Sequence, residues 1–320
     1  MKKIIITGIS GQDGLFLSKL LLKEHENISI LGFTRNDDQS FFFNNLKKIH
    51  NKDHEKIQLM KVDYNNFHQI TDLIKSFSPN YIYNLMGPSS VYDSIANPKN
   101  GEFIKNTFDS ITNALIEDRN FCNFFQSSSS EMFDISDLPL SEDSIMRTRS
   151  PYAEAKLRNH LKAKEYYDIY DWKITSGIMF NHESEFRSTD YLIMKIIKSA
   201  IEISRGKNEK LTVGTTKFIR DWSFAGDIMR AAFLINTKGS QSSYVIGSGV
   251  GTSIEYILDY IFSNLGLSWE EHTIVDPSLL RKGDSKTIIS DPRKLKKELN
   301  WEPSYKISNL LDRCMAAKIN

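Results

Sequence analysis

Four residues in two short segments have side chains that could transfer protons. Tyr152 and Lys156 are four residues apart in SPYAEAK, a spacing that places both on one helix face, one turn apart. Such pairs also occur by chance on solvated helices, but an ammonium beside a phenol stabilises its anion, so we expect Lys156 to lower the pKa of Tyr152. Ser129 and Glu131 precede the pair in QSSSSEM and add a hydroxyl and a carboxylate. These four residues form the candidate catalytic set.

The N-terminal segment contains a second motif, a glycine-rich turn. Residues 2–7, KKIIIT, are typical of a buried parallel strand, and the amphipathic stretch LFLSKLLLKEH begins just after the turn. Glycines at this spacing let the backbone approach a pyrophosphate and let the helix pack closely on the strand. The turn predicts a dinucleotide-binding site formed by Gly8, Ile9, Ser10, Gly11, Gln12, Asp13 and Gly14.

Strand-like and helical segments alternate in the first half of the chain. The strand-like segments are IIIT, ISILGFT, KIQLMKV, NYIYNL, NFFQSS and WKITSGIMF. This alternation predicts an α/β fold with a doubly wound, Rossmann-like parallel sheet and a smaller C-terminal substrate-binding lobe. We expect residues 1–180, with a return of roughly 214–240, to form the dinucleotide-binding domain. Residues of roughly 181–213 and 241–320 are assigned to the lobe.

The composition excludes several other classes of protein. The 320 residues are 40% hydrophobic and 25% charged, which is ordinary for a globular chain. The 41 basic and 40 acidic residues are interspersed, which argues against nucleic-acid binding. No apolar stretch reaches the roughly 18 to 20 residues of a membrane span. Cys122 and Cys314 are too few for a disulfide framework or a zinc site, and His182 has no second ligand at metal-binding spacing, so we expect a cytoplasmic protein without a metal.

The G-x-x-G-x-x-G turn and the downstream Tyr-x-x-x-Lys together resemble the extended short-chain dehydrogenase/reductase superfamily. Within it, several segments resemble those of the GDP-mannose 4,6-dehydratase family: GISGQDG, IYNLMGPSSV, FFQSSSSEMF, SPYAEAK, GIMFNHES, IRDW and LNWEP. The resemblance extends from about residue 3 to about residue 305. It implies an enzyme that acts on a GDP-sugar and forms a homo-oligomer, either a dimer or a tetramer.

The choice of nicotinamide cofactor depends on the residues after the second strand. A carboxylate there usually holds the ribose 2′-hydroxyl of NAD, whereas an arginine suits the 2′-phosphate of NADP. The segment ISILGF is followed by Thr34 and Arg35, with no carboxylate before Asp37, so NADP is favoured and NAD is the alternative. The family resemblance implies further cofactor contacts from Asp63, Tyr64, Leu85, Ser89, Tyr152, Lys156, His182 and Arg187.

The resemblance also implies the chemistry. Tyr152 accepts the C4 hydroxyl proton as hydride passes to the nicotinamide, and Ser129 hydrogen-bonds the C4 oxygen. Glu131 then removes the C5 proton and assists loss of the C6 hydroxyl, after which the hydride returns to C6. The residues implied to contact the substrate are Ser89, Asn181, Lys195, Arg220 and Arg281.

Two segments depart from the family pattern. Residues 87–90 are Gly-Pro-Ser-Ser where the family usually has Ala-Gln-Ser-His, and residues 185–188 are Glu-Phe-Arg-Ser where it has Pro-Arg-Arg-Gly. These changes leave open a dehydratase or a C4-oxidising dehydrogenase, reductase or epimerase that acts on another GDP-sugar, such as a GDP-manno-heptose. A non-catalytic nucleotide-binding regulator is the third alternative. Glu131 favours a dehydratase, because reductases and 4-epimerases do not remove the C5 proton.

Overall fold

The computed structural model describes residues 1–35, 37–52, 54–88, 91–135, 138–280 and 284–319. Its strands are β1 Lys2–Thr7, β2 Ile28–Thr34, β3 Ile57–Lys61, β4 Tyr81–Asn84, β5 Asn123–Ser129, β6 Ile174–Met179, β7 Asn181–Glu183, β8 Leu211–Val213, β9 Ile219–Phe224, β10 Ser243–Ile246, β11 Gly251–Ser253, β12 Thr273–Val275 and β13 Thr287–Ile288. Its α-helices are α1 Gln12–Glu24, α2 Ser40–Ile49, α3 Phe67–Phe77, α4 Val91–Ala96, α5 Lys99–Glu117, α6 Pro151–Tyr170, α7 Leu192–Ser204, α8 Ala225–Lys238, α9 Ile254–Ser263, α10 Trp269–His272, α11 Arg293–Leu299 and α12 Ile307–Ile319. Short 3-10 helices cover His54–Lys56, Ser130–Met132 and Pro277–Leu279.

A parallel sheet of seven strands forms the centre of the molecule, in the order β10-β6-β5-β4-β1-β2-β3. The predicted doubly wound parallel sheet is confirmed. The direction of winding reverses at β1, where Thr7 pairs with Phe33 of β2 on one side and with Asn84 of β4 on the other. In open α/β sheets a crevice forms at this point, beyond the carboxyl ends of the strands.

Helices cover both faces of this sheet. Alternate residues of a strand point to opposite faces, and β1 shows the consequence directly. Ile4 and Ile6 pack in a core cluster that includes Ile228 of α8, whereas Ile5 packs in a second cluster that includes Phe108 of α5. A strand that is buried on both sides is mainly apolar, which explains the run of three isoleucines at residues 4–6.

A smaller lobe packs against the carboxyl end of the large sheet. It contains the sheet β11-β9-β13, with β7 also paired to β9, and the pair β12-β8. The helix α8 packs against α1, β5 and β6 of the main domain. Two strands lie in a different part of the molecule from the one predicted. Strand β10 was expected in the lobe but forms an edge of the large sheet, and β9 was expected in the main domain but is the centre of the small sheet. Strand pairing between distant segments decides both positions.

A buried carboxylate fixes the strand β9 that faces the crevice. Asp221 is 1% exposed and accepts hydrogen bonds from the backbone N–H groups of Ser248 and Gly249, each at 2.9 Å. It also accepts from the Ser290 N–H at 3.2 Å and from the Ser290 hydroxyl. Because these bonds hold β9 against two loops, its neighbours Arg220 and Trp222 are fixed on the side that faces the crevice.

Candidate active site

A cavity of about 750 Å³ lies at the carboxyl ends of β1, β4, β5 and β6, between the large sheet and the small lobe. The sequence-predicted residues that line it are Gly8, Ser10, Gly11, Gln12, Asp13, Arg35, Leu85, Ser129, Glu131, Tyr152, Lys156, Asn181, His182, Arg187 and Arg220. Those that lie outside its lining are Ile9, Gly14, Asp63, Tyr64 and Lys195. Ser89 and Arg281 fall outside the described residues.

The glycine turn has the geometry that its sequence suggested. Gly8 has a φ of +68°, in the left-handed region that favours glycine. At Gly14 a Cβ atom would lie 2.2 Å from the carbonyl oxygen of Ile9, so any side chain there would push α1 away from the turn. Gly14 and Ile9 therefore shape the site through packing, although neither lines the cavity.

Tyr152 and Lys156 are placed by the start of α6. The Ser150 hydroxyl caps this helix by accepting a hydrogen bond from the Ala153 N–H at 3.1 Å, and Pro151 occupies the first turn, where its missing N–H costs nothing. Both Tyr152 and Lys156 are then buried, with 8% and 5% exposure. The i, i+4 spacing thus brings both side chains to the same cavity.

Ser129 and Glu131 come from the end of β5. The Ser129 hydroxyl caps the short 3-10 helix by accepting from the Glu131 N–H at 3.3 Å, and it lies close enough to the Tyr152 phenol to lower the pKa of Tyr152. The three side chains therefore line the same cavity although they come from three elements, β5, the 3-10 helix Ser130–Met132 and α6. A hydroxyl, a phenol and a carboxylate gathered in this way can bind a sugar oxygen and exchange protons with its carbons.

The expected direction of the Tyr152 pKa is wrong in this arrangement. Burial raises the pKa of Tyr152 to about 12, and the hydrogen bond from Ser129 only partly opposes the increase. Lys156 instead donates to the carbonyl oxygen of Ser127 at 2.9 Å and to its hydroxyl at 3.1 Å, while its Nζ lies 5.8 Å from the centre of the Tyr152 ring. Burial lowers the pKa of Lys156 to about 8, partly opposed by Asp13.

Asp13 and His182 form an ion pair across 169 positions of sequence. The Nδ1 atom of His182 lies 2.8 Å from the carbonyl oxygen of Phe180, and Nε2 lies 3.1 Å from an Asp13 oxygen. A backbone carbonyl and an ionised carboxylate both accept hydrogen bonds, so this arrangement favours the imidazolium form of His182. Burial alone would lower the pKa of His182, but Asp13 raises it; in turn His182 lowers the pKa of Asp13 against the effect of burial.

Sequence reasoning missed two residues beside this pair. Glu183 and Tyr191 line the cavity on either side of Arg187. The guanidinium carbon of Arg187 lies 3.5 Å from the centre of the Tyr191 ring, and its Nε lies 3.7 Å from Oε2 of Glu183. Glu183 could have been suspected as the residue after His182 in the segment NHES, whereas Tyr191 follows a segment that departs from the family pattern.

Arg35 follows β2 and lines one part of the cavity. The guanidinium of Arg35 lies 5.2 Å from the centre of the Phe103 ring, within the range of a cation–π interaction. Asp37 is paired with Lys61 at 2.6 Å. Asp63 lies outside the cavity lining and accepts a hydrogen bond from the Asn65 N–H at 2.9 Å.

The small lobe contributes the opposite wall, which includes Asn181, Trp222 and Arg220. Arg220 donates to the Ile219 carbonyl at 2.9 Å and lies 3.9 Å from an Asp284 oxygen. Lys195 is instead exposed on α7 and donates to the Thr212 carbonyl at 3.1 Å. The structure therefore brings Asn181 and Arg220 to the site but not Lys195.

The described part of the chain shows neither a metal site nor a membrane-spanning helix. Among these residues, no three or more His, Cys, Asp and Glu side chains are grouped so that they could hold a metal ion. No helix within the same residues is long and apolar enough to span a membrane.

Solved structures share this fold along almost the whole chain. The dTDP-glucose 4,6-dehydratase of Bacillus anthracis, in complex with NAD, is 20% identical with a TM-score of 0.84, covering 99% of this chain and 96% of that one. RMD from Pseudomonas aeruginosa, complexed with NADPH, is 18% identical with a TM-score of 0.80, covering 100% and 98%. The protein thus has the fold of the extended short-chain dehydrogenases/reductases.

Sequence comparison defines the family within this class. GDP-mannose 4,6 dehydratase 2 of Arabidopsis thaliana is 29% identical over 316 residues, which cover 97% of this chain and 85% of the relative. GDP-mannose 4,6-dehydratase of Sinorhizobium fredii is 28% identical over 336 residues, covering 97% and 94%. The model of the GDP-mannose 4,6 dehydratase family matches residues 5–314. The chain belongs to this family, which confirms the resemblance seen in its motifs.

Proposed function

We propose that this protein is an NADP-dependent GDP-sugar 4,6-dehydratase that converts GDP-mannose to GDP-4-keto-6-deoxymannose. The observation that carries the proposal is the convergence of Ser129, Glu131 and Tyr152 in one cavity, with Lys156 behind them. A 4-epimerase or reductase needs the hydroxyl and the phenol, whereas the elimination also needs a carboxylate. Membership of the family supports the same reaction class.

The cavity suits a dinucleotide. The turn from Ser10 to Asp13 lines it at the N-terminus of α1, where the first backbone N–H groups have no acceptor within the helix and favour a pyrophosphate. The buried Ser128 hydroxyl lines the same cavity and makes no hydrogen bond to any described residue. Arg35, held against Phe103, is the cation that would meet the 2′-phosphate of NADP.

Tyr152 and Glu131 carry out the two proton transfers in this proposal. Tyr152 accepts the C4 proton as a phenolate, after the phenol has lost its own proton to solvent. Because burial raises the pKa of Tyr152 to about 12, this phenolate depends on stabilisation by the Ser129 hydroxyl and the Lys156 ammonium. A bound nicotinamide would supply the acceptor for the C4 hydride and the source of the hydride returned at C6. Glu131 takes the C5 proton once C4 is a ketone, because a proton alpha to a carbonyl is acidic.

The variant Glu131→Gln tests the elimination. Glutamine keeps the shape but cannot accept a proton at neutral pH. With saturating GDP-mannose and stoichiometric NADP, we expect the variant to accumulate reduced cofactor absorbance together with a 4-keto sugar that retains its C6 hydroxyl. Wild type should show little net reduction and should incorporate solvent deuterium at C5. Glu154→Gln is the matched control, because Glu154 is an exposed carboxylate on α6 paired with Lys105 and outside the cavity.

The same assay separates the alternatives. Dehydration at a near-normal rate by Glu131→Gln would show that this carboxylate takes no part in the elimination. Release of reduced cofactor by wild type without loss of water would identify a C4 dehydrogenase. Mass spectrometry of products from a panel that includes GDP-mannose and a GDP-manno-heptose identifies the sugar, and no turnover of any of them would favour a nucleotide-binding regulator.

A further inference from the structure

Glu183 is a buried carboxyl group at the cavity wall that the proposed reaction does not use. The residue is 5% exposed, it lines the cavity, and its Oε2 atom makes no hydrogen bond to any described residue. Burial raises the pKa of Glu183 to about 7. Buried polar atoms are nearly always hydrogen-bonded in folded proteins, so an unpaired oxygen at a cavity indicates a functional role.

The groups that face this carboxyl come from four parts of the chain. Arg187 and His182 favour its ionised form, and Asp13 opposes it. Cys314 of α12 is the fourth neighbour, and burial together with Glu183 raises its pKa. Arg187 is near Glu183 but does not form a hydrogen bond with it, because Nε of Arg187 lies 3.7 Å from Oε2 of Glu183. Nε of Arg187 has no other hydrogen-bond partner among the described residues.

The two residues directly after Glu183 do form hydrogen bonds, unlike the Oε2 atom of Glu183. The Ser184 hydroxyl donates to Gln12 at 2.7 Å, which joins β7 to the glycine turn. Glu185 accepts from Nε of Arg313 at 2.8 Å and from a second nitrogen of the same guanidinium. Both neighbours are fully engaged in holding the structure together. The unpaired atoms of Glu183 and Arg187 are therefore specific to the part of the segment that lines the cavity.

We propose that Glu183 is a positioning residue that shares the Arg187 guanidinium with a phosphate group of the bound dinucleotide and takes up one proton when the dinucleotide binds. Arginine pairs strongly with phosphate oxygens, and a bound pyrophosphate brings further negative charge into the cavity. Both effects favour the neutral carboxylic acid at Glu183. The proton comes from solvent, and no bond other than O–H is formed. The inference rests on the proposed function only in that the cavity binds a dinucleotide.

The affinity for NADPH provides the test. Because the protonated form of Glu183 binds better, wild-type affinity should fall as the pH rises above about 7, by up to about tenfold per pH unit from this group. Glutamine mimics the protonated acid. Glu183→Gln should therefore match wild type at pH 6 and bind NADPH up to about tenfold more tightly than wild type at pH 8. Lys156 also titrates, but its contribution is common to both proteins at a given pH.

Glu142→Gln is the control, because Glu142 is a carboxyl whose pKa is raised by burial but which lies outside the cavity lining. It should bind NADPH as wild type does at both pH values. Weaker binding of Glu183→Gln at every pH, or binding equal to wild type at pH 8, would overturn the inference. Should the variant fail to fold, calorimetry of NADPH binding to wild type at pH 7 in phosphate and in Tris must show net proton uptake. Failure of wild type to bind NADPH at pH 6 would instead refute the proposed function.

Discussion

Asp13→Asn is expected to destabilise the protein more at pH 5.5 than at pH 8.5. In wild type the Asp13 carboxylate keeps His182 charged, with the pKa of His182 raised above its ordinary value. A raised pKa contributes stability that is present in full below the unfolded-state value of about 6.5 and is lost as the pH rises through the folded-state value. Asparagine removes the carboxylate, so burial then lowers the pKa of His182.

The loss of stability in Asp13→Asn depends on whether His182 is neutral or charged in wild type. Near pH 8.5 the variant loses about one hydrogen bond, worth about 1 kcal/mol. At pH 5.5 the unfolded chain binds a proton that the folded variant does not, which costs about 1.4 kcal/mol per pH unit below 6.5. The lost bond is also charge-assisted at this pH and is worth about 2 kcal/mol. We therefore expect a loss of about 3 kcal/mol at pH 5.5 against about 1 kcal/mol at pH 8.5.

Urea denaturation followed by far-UV circular dichroism at both pH values measures these free energies of unfolding without any ligand. Asp168→Asn is the control, because Asp168 is an exposed residue of the same type on α6. Its free energy of unfolding should stay within about 0.5 kcal/mol of wild type at both pH values. Equal destabilisation by Asp13→Asn at pH 5.5 and pH 8.5 would refute the assignment of an imidazolium at His182.

Four further outcomes are expected. Tyr152→Phe should reduce turnover by about two to four orders of magnitude without loss of nucleotide binding, and more than about a tenth of wild-type turnover would exclude Tyr152 as the proton acceptor. Gly14→Ala should cost at least about 3 kcal/mol in urea denaturation, because the new Cβ would lie 2.2 Å from the Ile9 carbonyl oxygen; a smaller loss would mean that α1 yields easily. Arg35→Asp should shift binding preference from NADP toward NAD, and a wild-type preference for NAD would contradict the cofactor assignment. Light scattering should show at least a dimer formed through α5 and α6, and a monomer at micromolar concentration would contradict this.

Local patterns were sufficient for much of the fold and for the centre of the site. The apolar runs predicted most of the strands β1 to β6, because a strand covered on both faces is mainly apolar; β5 is the exception, since it ends in four buried polar residues, 126–129. The glycine turn and the Tyr152/Lys156 spacing were equally informative, since each depends on a few consecutive residues and on the geometry of one element. The glycine turn and the Tyr152/Lys156 segment are also motifs of the family to which the chain was assigned, and membership of that family is confirmed.

Contacts between distant segments were decided only by the tertiary structure. The sequence does not show that β10 joins the large sheet, that Asp13 pairs with His182, or that Lys195 is directed away from the cavity. Burial also reversed the expected direction of the Tyr152 pKa, because the loss of solvation outweighs a lysine that hydrogen-bonds Ser127. Periodicity and spacing describe one element at a time, whereas the ionisation and pairing of a side chain depend on everything that is packed around it. In this protein that packing joins the first turn of the chain to a strand about 170 residues later.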